Sequence, residues 1–376
     1  MRVTIVAESF LPEVNGVSNS VVRTAGELAS AGHEVAIIAA GHGPTDVDGV
    51  PVDRVPAFQL PAYRSLAVGL PGRAVGAILR RQRPDVVHLA APVVLGAVAA
   101  RAAARDGIPA VSVFQTDLAA FASGYRLGVT APAIWRWLHH VHEGTAITLV
   151  PSSVTLWDLR RRGFDRLALW PRGVDTNRFS PAHRDPGLRA RLAPDGSLLV
   201  GYVGRLAAEK RVHLLEPLTH LDGVKVVVVG SGPAERELRA RMPKATFCGF
   251  RAGRELSELV ASFDVFVHTG AHETFCQAMQ EALASGVPVV GPAAGGPLDL
   301  VRHGVNGWLY PPDDVEMLVA AVRALVAEDA TRARMAAAAR PSVAERTWPA
   351  VTSRLVEQYR AVVAAAAGVP ALGRAA

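Results

Sequence analysis

The chain has 376 residues, half of them hydrophobic and a fifth charged, with a formal net charge of +6; that is too long for one core, and the balance belongs to a folded globular protein of about two domains. Its longest apolar runs, residues 89–100 and 361–373, fall short of the roughly 20 residues a membrane-spanning helix needs. Two cysteines, Cys248 and Cys276, cannot build a disulfide framework or a four-sulfur zinc site, and Met1-Arg2 leads straight into Val-Thr-Ile-Val-Ala without a secretory signal, so the expected compartment is the cytosol.

From the amino terminus, short β-branched runs alternate with helical patterns, the mark of parallel α/β sheets. Strands are predicted at residues 3–7, 35–39, 86–89, 110–114 and 147–150, with a helix at 19–31 that turns Val21, Val22, Ala25, Leu28 and Ala29 inward and stops at Gly32. Residues 54–83 hold six arginines and no acid among apolar residues such as Phe58, Leu66 and Val68. That composition suits an anionic membrane surface as well as a plain solvated face. No recognition-helix pattern or aromatic-interleaved basic motif accompanies it, so nucleic acid is not an expected partner. Residues 179–197, with three prolines and no strand pattern, read as a linker. The pattern then restarts, with strands predicted at 198–203, 224–229, 245–248, 264–268 and 287–291. Two doubly wound domains should face each other across a cleft, with ligands at the carboxyl ends of the strands.

Three segments carry chemistry. In residues 10–21, Asn15-Gly16-Val17 stands at a strand-to-helix junction, where a glycine lets backbone approach a phosphate closely. Gly204 to Lys210 follows a strand and sets Arg205 and Lys210 five apart around a turn. Two fixed cations there can neutralise a departing diphosphate, work otherwise given to a metal. In residues 272–290, Thr274 and Gln277 have capping-box spacing, which predicts a helix from Phe275 that ends at Gly286 and Pro288. Glu273 then lies just before the helix and Glu281 inside it, about 12 Å further along at about 1.5 Å per residue. The amides of Phe275 and Cys276, with the helix dipole, make an anion site between the two carboxylates. A nucleotide sugar presents groups in that order: sugar diol, diphosphate, ribose diol. The plainer alternative is that Glu273 favours the helix terminus and Glu281 is a surface residue.

Rival motifs are weaker. Gly230-Ser231-Gly232 lacks the third glycine of a dinucleotide fingerprint, Glu235 standing there. Asp46-Val47-Asp48 sits between glycines and prolines, as a solvated turn would. His139, His140 and His142 have no zinc-ligand frame, and no nucleophile elbow is present.

Together, the Glu273/Glu281 pair, the Gly-Arg…Glu-Lys turn, the Asn-Gly-Val loop and the segment Arg-Gly-Val-Asp-Thr-Asn-Arg-Phe at 172–179 resemble the retaining GT-B glycosyltransferases of family four. Residues 7–21, 113–125 and 272–290 are similar to the actinobacterial α-mannosyltransferases that use GDP-mannose on lipid acceptors. The resemblance covers nearly the whole chain. It implies an α/β GT-B fold of two Rossmann-like domains, residues 1–178 for the acceptor and 179–347 for the nucleotide sugar, with residues 348–376 forming a helix that returns to the first. It implies that Glu281 grips the ribose diol, Glu273 the sugar hydroxyls, and Arg205 and Lys210 the diphosphate, with Gly16 against the donor phosphates. No metal or cofactor is implied. The implied partners are GDP-mannose, a membrane lipid or lipoglycan acceptor and an anionic membrane, the enzyme lying peripherally on the inner face of the plasma membrane.

The chain departs from the family at Phe114-Gln115-Thr116-Asp117, where many members carry Phe-His-Thr. Glutamine exchanges no proton near neutral pH, so retention is expected through front-face attack, with the leaving phosphate oxygen taking the acceptor proton. Gln115 and Asp117 fall on the acceptor side, Asp117 orienting the acceptor hydroxyl. Two alternatives stand beside this reading: a UDP-sugar transferase acting on a soluble acceptor, and a Rossmann-type nucleotide-binding protein without transfer activity, which would have no use for Glu273 at the sugar.

Overall fold

The computed structural model describes residues 1–60, 63–69, 74–115 and 131–368, with backbone alone at 59–60 and 63–69. The chain divides into two compact units, one of Met1–Arg172 and Trp348–Ala376, the other of Gly173–Thr347. Residues 173–178, expected in the first domain, belong to the second. Val174 bridges to Thr347, and the Arg340 guanidinium donates to the carbonyls of Thr176 and Phe179 at 3.0 Å each.

In the first unit the strands are β1 (Arg2–Ala7), β2 (Glu34–Ala40), β3 (Asp46–Val47), β4 (Val50–Val55), a separate hairpin of β5 (Ala57–Leu60) and β6 (Tyr63–Gly69), β7 (Val86–Ala90), β8 (Ala110–Val113), β9 (Ile147–Val150) and β10 (Leu167–Leu169). The main sheet runs β10-β9-β8-β7-β1-β2-β4-β3, parallel except for the short β3–β4 turn. Its strands are apolar on both faces because helices cover both. Ile5 and Ile37 pack with Val21 and Leu28 of the helix Gly16–Ser30 and with Leu355 and Tyr359 of the helix Trp348–Ala366. Val6 and Ile38 pack on the other side with Leu79 and Leu95. The sheet reverses its order at β1, with β2 on one flank and β7 on the other, which puts a crevice at the carboxyl ends of β1 and β7.

The arginine-rich stretch is less free than its composition suggests. Arg54 turns inward, donating to the carbonyls of Pro44 and Leu11. On the helix Ala74–Gln82, Arg80 pairs with Asp106 and Arg81 with Asp53, acids that lie outside the stretch itself. Arg64 and Arg73 lie outside the described side chains. Asp46 and Asp48 sit at the β3–β4 turn, where Asp46 caps the Gly49 amide at 3.0 Å, a structural task. No helix of the described residues is long and apolar enough to cross a membrane.

The second unit adds β11 (Leu198–Val203), β12 (Val224–Val229), β13 (Thr246–Gly249), β14 (Val265–Val267), β15 (Val289–Pro292) and β16 (Gly307–Tyr310). They form one parallel sheet in the order β13-β12-β11-β14-β15-β16, which reverses at β11 beside β14. Alternate residues again feed two cores: Val227 packs with Phe266 and Met279, Val228 with Tyr202 and Leu318. The segment expected to be a linker is instead a helical buttress of this unit. Pro181 and Pro186 occupy first helical positions, which tolerate proline, behind the caps Ser180 and Asp185. Arg184 and Arg189 then clamp Asp264 at 2.7 and 2.9 Å.

The returning helix is fixed by two buried bonds, from Trp170 Nε1 to the Val351 carbonyl at 3.0 Å and from Tyr359 Oη to His88 Nδ1 at 2.6 Å. Burial pushes His88 down to about 3, so the ring stays neutral and accepts. Tyr359→Phe leaves that nitrogen unsatisfied and should lower stability by about 1–3 kcal/mol. Denaturant unfolding of the variant against wild type measures it.

Candidate functional site

Chemistry gathers at the reversal point of the second sheet. Val203 ends β11, and the turn after it holds Arg205, Glu209 and Lys210. The turn is laid against the loop after β12: Leu206 donates to the Ser231 carbonyl at 2.9 Å, and a Cβ on Gly230 would stand 1.9 Å from the Gly204 oxygen. The glycines of Gly230-Ser231-Gly232 therefore serve backbone-to-backbone contact with the arginine turn. On the other side of the reversal, β14 ends at Val267 and delivers His268 and Thr269. Thr269 Oγ1 donates to the Lys210 carbonyl at 2.7 Å, which joins the two strand ends.

Glu273 lies between the cations. Its Oε1 accepts from Lys210 Nζ and from His268 Nε2, the latter at 3.1 Å. Burial opposes ionisation of Glu273, but the Lys210 and His268 charges outweigh it and hold the carboxyl below the usual range. Burial likewise opposes charge on His268, yet Cys276 and Glu273 beside it lift the ring to about 10. Lys210 is raised too, against burial, by Glu273. Arg205 pairs with Glu209. Three basic groups thus gather around two carboxylates at the strand ends, a setting that suits an anionic ligand.

The expected capping box does not form. The helix runs Gln277–Ala284, and Cys276 takes the N-cap position in the left-handed region, φ 74°, with no side-chain cap. The cause is the glycine pair after β15. The Gly296 amide donates to the Glu273 carbonyl at 2.7 Å, and a Cβ on Gly296 would stand 2.0 Å from the Phe275 oxygen. Residues 273–276 are drawn onto that loop and the helix starts later. Phe275 and Cys276 are buried in the core, so the first helical amides are those of Gln277, Ala278 and Met279, not those of Phe275 and Cys276. Glu281 lies one turn into the helix, half-buried, beside Gln277 Nε2 at 3.4 Å.

In the first unit Asn15 caps the helix Gly16–Ser30 in a capping box with Ser18. Arg172, buried, donates to the Gly16 carbonyl and to Gln115 Oε1. Arg172 and His268 had no role assigned from the sequence: Arg172 opens the segment 172–179 that carries the family resemblance, and His268 shows only as the polar end of a predicted strand. Asp117 lies outside the described residues. Of the three histidines at 139–142, His142 is buried on Ser112 and Thr148, and His139 meets the Gly163 carbonyl. The described residues contain no cluster of metal-ligating side chains.

Two doubly wound sheets, each with charged groups at its reversal point, put the candidate ligand sites at the strand ends. Sequence models of two families match the chain, Glycosyltransferase Family 4 over residues 14–178 and Glycosyl transferases group 1 over residues 187–341, and the chain belongs to the glycosyltransferases they describe. Among its relatives is a Mycobacterium tuberculosis protein named GDP-mannose-dependent alpha-mannosyltransferase, 48% identical over 96% of this chain and 97% of that one. A second M. tuberculosis relative, named GDP-mannose-dependent alpha-(1-6)-phosphatidylinositol dimannoside mannosyltransferase, is 31% identical over 77% of this chain and 79% of its own. The fold is GT-B: a sucrose-phosphate synthase from Thermosynechococcus elongatus superposes with a TM-score of 0.79 at 19% identity, over 97% of this chain and 99% of that one.

Removing the Glu273 charge leaves two cations unpaired in a buried setting, so Glu273→Gln should cost about 3 kcal/mol of stability at neutral pH. The depressed carboxyl contributes above its ordinary value of 4.5 and loses that contribution as the pH falls below it. The gap between variant and wild type should therefore narrow in acid, as pH-dependent denaturant melts will show.

Proposed function

We propose that the enzyme transfers mannose from GDP-mannose, with retention and without a metal ion, to a lipid-linked acceptor at an anionic membrane. The observation that carries the donor side is the Lys210–Glu273–His268 cluster with Arg205 beside it, set at the strand ends next to a helix amino terminus. In this reading Arg205 and Lys210 take the diphosphate and the helix amides add to them. Glu273, held in place by His268, accepts from sugar hydroxyls, and Glu281, steadied by Gln277, accepts from the ribose diol. The names of the relatives support mannose, guanosine and a lipid acceptor.

During transfer the bond from the anomeric carbon to the phosphate oxygen breaks on the face where the acceptor oxygen attacks. The acceptor proton passes to the leaving phosphate oxygen, whose charge Arg205 and Lys210 neutralise. Gln115, held by Arg172, contributes no base. Membrane attachment is supported by Arg80 and Arg81, whose side chains remain 59% and 64% exposed despite their surface ion pairs. Such pairs hold little free energy against an anionic headgroup.

A donor screen by thermal shift, followed by transfer to extracted lipids, tests the reading: GDP-mannose should stabilise the protein more than UDP-sugars. Activity should persist in excess chelator; abolition by chelator with recovery on adding magnesium or manganese would overturn the metal-free mechanism. Glu281→Ala should weaken donor affinity by about 2–4 kcal/mol, because a charged acceptor of two hydroxyls is lost. Glu273→Gln should mainly lower kcat, because contacts to the sugar change as charge develops at its anomeric carbon. Steady-state kinetics on variants shown to be folded separates the two.

A further inference from the structure

The first unit holds a buried carboxyl group that the donor chemistry does not use. Glu8 follows β1 directly and is 3% exposed. Its Oε1 accepts from the backbone amides of Leu95 and Gly96, the latter at 3.3 Å, at the start of the helix Leu95–Arg105. That oxygen is accounted for as a helix cap. Its Oε2 is buried with no hydrogen-bond partner among the described residues, a state that native structures rarely leave unanswered.

Glu8 lines a cavity of about 60 Å³, together with Ser9, Ala91, Gln115 and His142. The space is ample for ordered water or a hydroxyl-bearing group. It stands at the reversal point of the sheet, between the carboxyl ends of β1 and β7, where open α/β sheets take their ligands. Ala91, which closes β7, is held at φ 52°, a conformation an alanine adopts only under constraint. Gln115 on the same wall is fixed through Arg172 to the Gly16 carbonyl.

The lining decides what fits. An anion would meet the carboxyl, and among the described residues no lysine or arginine lines the cavity to offset it. An apolar group would leave Oε2 bare. A hydroxyl satisfies it in either state, donating to a carboxylate or accepting from the acid. We propose that Glu8 and its cavity bind one hydroxyl-bearing group of a neutral polyol, the acceptor of the transfer reaction, through a hydrogen bond to Oε2. Glu8 is then an acceptor-positioning residue. This rests on the chain being a glycosyltransferase whose acceptor occupies the first unit.

Burial pushes Glu8 up to about 7, against the pull of the Gly96, Leu95, Val94 and Val93 amides at the helix start, so the strength of the bond should change near neutrality. Other groups around it stay fixed there. Burial holds His142 down at about 4 and His88, on β7, at about 3. His140 lies at the surface with Arg101.

The test is saturation-transfer NMR with two probes, myo-inositol and methyl α-D-mannopyranoside, on the full chain, with GDP binding followed in parallel by thermal shift. Wild type should bind at least one probe, more tightly at pH 8 than at pH 6. Glu8→Gln keeps the shape and the helix cap, and should bind about fivefold more weakly at the higher pH with no pH dependence left. Val17→Leu, which fills the same cavity from a partly exposed position, should also weaken the probe. GDP affinity should stay unchanged in Glu8→Gln. Equal probe binding by wild type and Glu8→Gln at both pH values, or binding by neither, overturns the proposal and leaves Glu8 a helix cap. Loss of GDP binding by wild type itself would count against the transferase reading instead.

Discussion

A carboxylate held by two cations sets the geometry of the second unit. Glu273 can be ionised and largely buried because Lys210 and His268 both reach one of its oxygens. They reach it because three strand ends are tied together around it. Thr269 holds the Lys210 carbonyl, and Tyr310 Oη holds the His268 carbonyl at 3.1 Å. The His268 ring lies parallel to Tyr202, 6.1 Å between centroids. The backbone can come close enough for this only where side chains are missing, which is why Gly230, Gly232, Gly295 and Gly296 stand at the crossings. A Cβ at any of them would collide with a carbonyl or backbone atom of the segment that carries Arg205 or Glu273.

The two units repeat one plan with opposite polarity. Each sheet reverses beside its first strand, and in each the residue after that strand, or just beyond it, is charged. In the second unit the cations Arg205, Lys210 and His268 stand against the carboxylates Glu209 and Glu273. In the first the charged residue is an acid, Glu8, enclosed with Ser9 and Gln115, with no lysine or arginine among the described lining residues. Under the proposed reading one fold supplies an anion site and a hydroxyl site from equivalent places, the difference lying in a few side chains at strand ends.

Most of the strand pattern was legible because both faces of each sheet are buried, which makes the strands near-continuous Val, Ile and Ala runs. Residues 147–150, 198–203 and 224–229 match the observed strands end for end. What escaped the sequence was set by contacts from far away. The spacing of Thr274 and Gln277 promised a capping box, but Gly296, twenty residues on, pulls the chain into another path and Cys276 becomes the left-handed cap. Residues 179–197 looked like a linker because their two short helices carry few apolar residues; what docks them is Arg184 and Arg189 on Asp264. The arginines of 54–83 looked unopposed because Asp53 lies just before the stretch and Asp106 well after it.

The exchange of histidine for glutamine at position 115 fits its neighbourhood. Arg172 is buried and always charged, and it spends its two terminal nitrogens on the Gly16 carbonyl and on Gln115 Oε1. An imidazole in that place would present either a lone pair, tying up the nitrogen a base would need, or an N–H aimed at the guanidinium, which is repulsive. The carboxamide has a permanent acceptor for the arginine and keeps a fixed orientation at every pH. The arginine that ties the start of the first helix to this loop therefore also removes the proton-exchanging group from it. With no base at position 115, a transfer in which the leaving phosphate takes the proton asks nothing of this loop except to hold its place.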